Sequence, residues 1–346
     1  MFFNSKKISH YAIALVIIFV VSSIGDKLKS KIINNNDDEY EMIKKYILNE
    51  SPLYGYNRPK LWIHTKYDIN SRNWKENHFR NSTDLNLEYL HLTIKSIINH
   101  CGQDFNICLI DDNSFNKLIP SWDINISELS DPIKEQYREL GMLQIIYYYG
   151  GLIVPNSFVC LKNLKPLYDD KMSTPFVCEK VNKTCDISNT NNNLFTTDIY
   201  FMGSNKENIT LLELIEKVKI RNRKHHLTYE TNFKGEISNE CNKLCSVKKL
   251  DTIGGEKIGI KTKEGKPILL DNLMEESYLD FDESMYGIYI PEDELLKRKK
   301  YEWFIDASST QILESNNMIS KYLKLSIVDS NNEYNKETIV KSVITI

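Results

Sequence analysis

The stretch from Lys134 to Leu167, KEQYRELGMLQIIYYYGGLIVPNSFVCLKNLKPL, limits the fold more than any other part of the chain. Met142, Ile145, Ile146 and Tyr149 recur at i, i+3, i+4 and i+7, the spacing of one helical face. Leu140, Leu143 and Tyr147 fill a second face, so the helix is apolar on most sides and is predicted to lie inside a domain. Gly150 and Gly151 accept positive φ and end it. Leu152-Ile153-Val154 then makes a short buried strand, which Pro155 stops because it lacks a backbone donor. A polar loop follows, at the place where chemistry is expected.

The flanking sequence repeats this alternation. Pro59–Thr65 is an apolar strand, Leu85–His100 a helix capped by Asp84, Phe105–Ile110 a second strand, and Ser114–Ile119 a short helix. Strand, helix, strand, helix, strand from Arg58 to Val154 predicts a mostly parallel central sheet flanked by helices, an α/β fold. Further strands are expected at Pro175–Val181, Asp198–Met202 and Tyr286–Ile290, a helix at Ile209–Ile220, a hairpin within Leu250–Leu270, and helical structure over Asp293–Leu325. The Asn-rich run Asn182–Asn193 reads as a loop.

The amino terminus carries Lys6 and Lys7 before an apolar run, Tyr11 to Ile24. A spanning helix needs about 20 residues, and residues 8–25 come near the lower limit. Residues 1–31 are therefore expected to be a signal anchor, single-pass and type II-like, in a secretory-pathway or virion membrane. The alternative is a cleaved signal and a secreted protein. Residues 32–57 read as a polar stem, 58–325 as the folded domain and 326–346 as a tail. A net charge of −3 gives no general attraction to nucleic acid, and none is expected as a partner. The wealth of Asn, Ile, Lys and Tyr reflects an AT-rich genome such as that of a protist, a low-GC bacterium or a large DNA virus. The seven cysteines are odd in number and lack a C-x-x-C pair, so a zinc site is not expected. Cys241 and Cys245 form a local disulfide in an oxidising lumen, or all seven are free apolar residues.

Several residues stand where open α/β sheets bind ligands, at the carboxyl ends of strands. His64 and Thr65 end the first strand, and Asp111 and Asp112 follow the second. Asp111 and Asp112 meet a donor base or ribose, or simply form an Asx turn capping the next helix. Asn156 and Ser157 follow Pro155. Asp280-Phe281-Asp282 pairs two carboxylates one residue apart, a weak alternative site for a hard cation. The basic run Arg221–His226 faces a diphosphate or solvent, and Trp303 stacks on a sugar or sits in the core.

Tyr149-Gly150-Gly151 and Cys160-Leu161-Lys162-Asn163-Leu164 carry a resemblance. The run Glu139–Leu167 resembles the signature of DXD-type glycosyltransferases, including the capsular polysaccharide synthesis family, with a GT-A fold. In that pattern the metal-binding Asp falls on Pro155, the second motif position on Ser157, the helix Asp on Glu139 and the helix Arg on Met142. The resemblance implies a nucleotide-sugar donor bound by His64, Thr65, Asp111, Asn156 and Ser157, a glycan or protein acceptor, and transfer of the sugar between them. With Pro155 in place of the aspartate, catalytic groups are sought among Asp111, Asp112 and Glu139, and Mn²⁺ or Mg²⁺ is expected only if another metal site exists. The alternative expectation is a catalytically silent membrane or virion structural or carbohydrate-binding protein.

Overall fold

The computed structural model describes residues 58–66, 87–171, 173–182, 194–224 and 230–327. The chain divides at Lys45–Tyr46 into two units, and every described residue belongs to the second. The expected anchor, the stem and the Asp84 cap lie outside the described residues, as does the tail beyond Ile327. Among the described residues no helix is long and apolar enough to cross a membrane.

In chain order the elements are β1 (Lys60–His64), α1 (Glu88–Cys101), β2 (Asn106–Ile110), α2 (Ser114–Leu118), α3 (Ile133–Tyr149), β3 (Gly151–Ile153), β4 (Phe158–Cys160), α4 (Lys165–Asp170), β5 (Phe176–Val181) and β6 (Phe195–Ser204). There follow α5 (Ile209–Lys224), α6 (Glu230–Ser246), β7 (Asp251–Ile253), α7 (Leu270–Met274), β8 (Gly287–Tyr289), α8 (Glu292–Lys297), α9 (Glu302–Asp306), α10 (Ser309–Glu314) and α11 (Met318–Ile327). Six strands form one sheet in the order β2-β1-β3-β6-β5-β7. β1 pairs in parallel with β2 and β3, and β5 with β7, while β6 runs antiparallel to both of its neighbours. The sheet is thus mostly parallel, with one reversed strand.

Burial on both faces explains the sequence of the central strands. Trp62, Cys108, Ile110, Ile153, Val177 and Met202 join a core completed by α2, α3, α5 and α6. Leu61, Ile63, Leu109, Leu152 and Phe201 are equally buried. Strands covered on both sides read as continuous apolar runs, as Leu61–Ile63 does.

The Gly-Gly turn is demanded by geometry. Gly150 has φ 66° and returns its N–H to Ile146 O at 2.9 Å, closing α3. Gly151 has φ 107°, and a Cβ there would lie 2.2 Å from Lys60 O. Only glycine lets β3 start this close to β1. The Trp62 indole N–H donates to Gly150 O at 2.9 Å and ties the turn to the sheet.

Four expectations need correction. The hairpin within Leu250–Leu270 is absent: β7 joins the sheet edge beside β5, and only a single antiparallel bridge, Lys261 to Pro267, spans the Gly265 turn. Asp293–Leu325 is a broken series of short helices, α8 to α11, because Arg298, Ala307 and Ser315 each leave the helical region. The loop after Pro155 contains a strand, β4, paired with β8. α6 was not expected at all; it follows residues 225–229, which are not described.

Candidate functional site

β1 is the switch point of the sheet. The chain leaves it on one side to form β2 and returns on the other to form β3. In open α/β sheets the crevice outside the carboxyl ends of such strands is where ligands bind. A cavity of about 160 Å³ lies there. That is below the ~300–1,000 Å³ of sites that enclose a whole drug-sized ligand.

Its wall is assembled from the whole domain. β1 gives His64, with Lys66 just after it. α3 contributes Glu135, Arg138, Glu139 and Met142, four residues of one helical face. The end of β3 and the following turn give Ile153 to Ser157. Lys180 comes from β5, Asp198 to Tyr200 from β6, Lys234 from α6, Tyr289 from β8, and Glu292 and Asp293 from α8.

Most of these charges are paired. Arg138 holds Asp112 with both arms, Nε to Oδ1 at 2.9 Å and Nη2 to Oδ2 at 2.6 Å, and sends Nη1 to Glu135 at 2.6 Å. Lys66 reaches the other Glu135 oxygen at 2.9 Å. His64 Nε2 lies 3.0 Å from Asp112, and its ring stacks on Phe115. Burial works against ionisation of Asp112, but His64 and Arg138 hold its carboxyl well below the usual carboxylate range. Burial also opposes ionisation of Glu135, which Lys66 and Arg138 keep low. Lys180 lies 2.8 Å from Asp198, and Lys234 3.4 Å from Asp293.

Glu139 is the exception. Its Oε2 is out of reach of solvent and has no hydrogen-bond partner among the described residues. Burial pushes its carboxyl up to about 8; Lys234 opposes the rise, while Asp198 and Glu135 add to it. A carboxyl poised near neutrality in a cleft has the property required of a general acid or base.

The expected site residues divide. His64, Glu139, Asn156 and Ser157 line the cavity, and Asp112 stands behind it on Arg138 and His64. Thr65 does not line it: the side chain is buried and donates to Ile110 O at 3.2 Å. Asp111 is turned away as well, because its Oδ1 accepts from the N–H and hydroxyl of Ser114 at the start of α2, the Asx-turn alternative. Ser157 is committed, its hydroxyl donating to Ile290 O at 2.8 Å. Asp280 and Asp282 sit on the surface; Asp282 accepts from the Ser284 N–H, and Asp280 lies 3.8 Å from Lys263. Arg221 of the basic run pairs with Glu236 and Glu240 of α6. Trp303 is 49% exposed against Phe304, not buried in the core.

A divalent cation does not fit this wall. Pro155 offers no side-chain ligand, and Glu135, Asp198 and Asp293 already carry cationic partners. Among the described residues no group of three or more His, Cys, Asp and Glu side chains is placed to hold a metal.

Sequence reasoning missed Arg138, Lys66, Lys180, Lys234 and Asp198. Arg138 had a signal. It stands four residues before Met142, where the resembling pattern has its Arg, and therefore shares that helical face one turn away. The three lysines come from three distant segments and had none.

No family model matches the chain, and neither a curated protein nor a solved structure matches it.

Proposed function

We propose that the protein is a glycosyltransferase-like enzyme of GT-A type that binds a nucleotide sugar at the switch-point cavity and uses Glu139 as its proton acceptor. The observation that carries this is the Glu139 carboxyl, held near 8 with an unpartnered oxygen at the carboxyl ends of β1 and β3. In the step proposed, ionised Glu139 takes the proton of an acceptor hydroxyl. That oxygen attacks the anomeric carbon, and the bond from that carbon to the diphosphate oxygen breaks. The nucleoside diphosphate leaves with the bonding pair. Lys66, Arg138, Lys180 and Lys234 are the cations that meet its charge, in place of a metal. The topology supports the reading, as does β6 ending in Gly203-Ser204 and leading into α5, a feature shared with the resembling families.

A second reading has its own observation. The cations Lys66, Arg138, Lys180 and Lys234 all have carboxylate partners, so the network also serves as a scaffold in a catalytically silent carbohydrate-binding or structural protein. A thermal-shift screen of nucleotide sugars, with and without Mn²⁺, separates the two. Transfer predicts a stabilising donor whose effect does not need Mn²⁺, and donor hydrolysis that is lost in Glu139→Gln. Absence of any shift across the panel removes the enzymatic reading and leaves the second.

A further inference from the structure

Cys101 ends α1 and Cys160 ends β4. Their Sγ atoms lie 3.8 Å apart, in contact as thiols, and both residues are fully buried. The two positions are 59 residues apart in the chain.

The backbone around both sulfurs is fixed. Ser96 Oγ accepts from the Cys160 N–H at 2.8 Å, and the Ser326 hydroxyl donates to Cys160 O at 2.6 Å. Thr93, a turn earlier on α1, donates to Asn156 O at 2.5 Å, and Asn163 Nδ2 donates to Asp104 just past the helix. The segment from Asn156 to Asn163 is thus stitched to α1 at both ends, with the two cysteines between the stitches. A disulfide sets its sulfurs about 2.05 Å apart, so roughly 1.75 Å remains to be closed, a distance that rotation about the two Cα–Cβ bonds supplies.

The other cysteines are placed differently. Cys241 and Cys245, expected as a local pair, lie on one helix, and Cys245 Sγ takes the Thr252 hydroxyl at 3.1 Å. Cys108 Sγ donates to Asn106 O at 3.5 Å.

We infer that Cys101 and Cys160 form a disulfide, made as the chain folds by exchange with a small-molecule disulfide such as oxidised glutathione. The thiolate of Cys101 attacks one glutathione sulfur, and a glutathione thiolate leaves. The thiolate of Cys160 then attacks the Cys101 sulfur of this mixed disulfide, forming the new S–S bond and expelling the glutathione. The two cysteines lose two electrons, which oxidised glutathione gains, and the two thiol protons end on the glutathione thiols. The exchange precedes the packing of α1 on β4, because both sulfurs are sealed afterwards. The bond clamps α1 to the strand that follows Asn156 and Ser157 in the wall of the switch-point cavity.

The test folds the full-length chain in a buffer of reduced and oxidised glutathione. Thiols are alkylated after unfolding, and tryptic peptides are mapped without reductant. Cys101 and Cys160 are expected joined to each other and untouched by the alkylating agent. The melting temperature should lie about 5 °C or more above that of the chain folded with dithiothreitol. In Cys101→Ser the two preparations should melt together; should that variant fail to fold, the peptide map of the wild type decides alone. Alkylation of both Cys101 and Cys160, a bond from either to another cysteine (Cys185 included), or equal wild-type melting temperatures in the two buffers overturns the inference.

Discussion

Replacing Glu139 by glutamine tests whether this carboxyl is neutral in the folded protein. Its ordinary value of 4.5 rises to about 8 on folding. Between those values the native state holds a proton that the unfolded chain has lost. Stability must therefore fall as pH rises through this window, and level off above it. At about 1.36 kcal/mol per pH unit, a gap of about 3.5 units corresponds to roughly 5 kcal/mol between pH 4 and pH 9. That is a large share of the ~5–15 kcal/mol by which domains are stable.

Among the other cavity groups, Asp112, Glu135 and Asp293 are held below their ordinary values, and Lys66 is raised above 10.5. Urea denaturation at half-unit steps from pH 5 to 8.5 should show wild-type stability declining by roughly 3–4 kcal/mol. Glu139→Gln keeps the shape of the protonated carboxyl and cannot ionise, so the wild type should lose stability relative to the variant by that amount as pH rises, and the variant should be the more stable at the alkaline end. A wild-type curve parallel to that of the variant would show Glu139 ionised at pH 7 as an ordinary carboxylate and would remove the raised carboxyl on which the proposed transfer rests.

Gly151→Ala places a methyl 2.2 Å from Lys60 O at a backbone φ of 107° and should lower stability by about 3 kcal/mol, read by chemical denaturation; an unchanged midpoint would refute the close approach of β3 to β1. Asp112→Ala leaves Arg138 and His64 without their shared carboxylate and should cost about 2–4 kcal/mol at pH 7. Because the native Asp112 carboxyl is held low, the wild-type advantage exists above pH 4 and shrinks as pH falls further, which denaturation at pH 7 and pH 3 measures. Cys160, Cys178 and Cys241 are buried thiols raised well above 9.0 and should resist alkylation in the native protein at pH 8; mass-spectrometric labelling at any of them before unfolding contradicts the packing. Asp280→Ala and Asp282→Ala should leave nucleotide-sugar and Mn²⁺ responses unchanged in the thermal-shift assay, since both residues sit on the surface.

How much could be read ahead of the coordinates followed from the range of each physical signal. The apolar face of α3, the glycine stop and the Leu152–Val154 strand depend on neighbours within one or two turns, and all three are present. β1 and β2 were legible because strands buried on both faces must be continuously apolar. β4 was not: Phe158-Val159-Cys160 is short, and its strand character comes from pairing with β8, more than a hundred residues away. The supposed hairpin failed for a related reason, since Asp251–Ile253 gains more by extending the sheet beside β5 than by pairing locally. Within the site, His64 was legible from its place at a strand end, and Glu139 only through the resemblance, as the place of the pattern's helix Asp. Thr65 and Asp111 failed because short polar side chains next to a strand end satisfy the local backbone first.

Under the proposed transfer, the balance of charge in the cavity would tie binding to catalysis through Glu139. Four cations (Lys66, Arg138, Lys180 and Lys234) face five carboxylates (Glu135, Glu139, Asp198, Glu292 and Asp293) in its lining. With Glu139 protonated the count is four against four; ionising it makes the wall net negative. On that proposal the protonated carboxyl favours an anionic diphosphate, whereas proton abstraction needs the carboxylate, which forms as pH rises. Under the proposed transfer, donor KM and kcat both rise with pH, and kcat/KM follows the ionised fraction of Glu139 in the free protein and levels off above its value. In Glu139→Gln the wall stays permanently neutral at that position, and donor affinity should lose its pH dependence while transfer is lost. Donor binding that weakened with pH in the variant as in the wild type would place the titrating group elsewhere in the network.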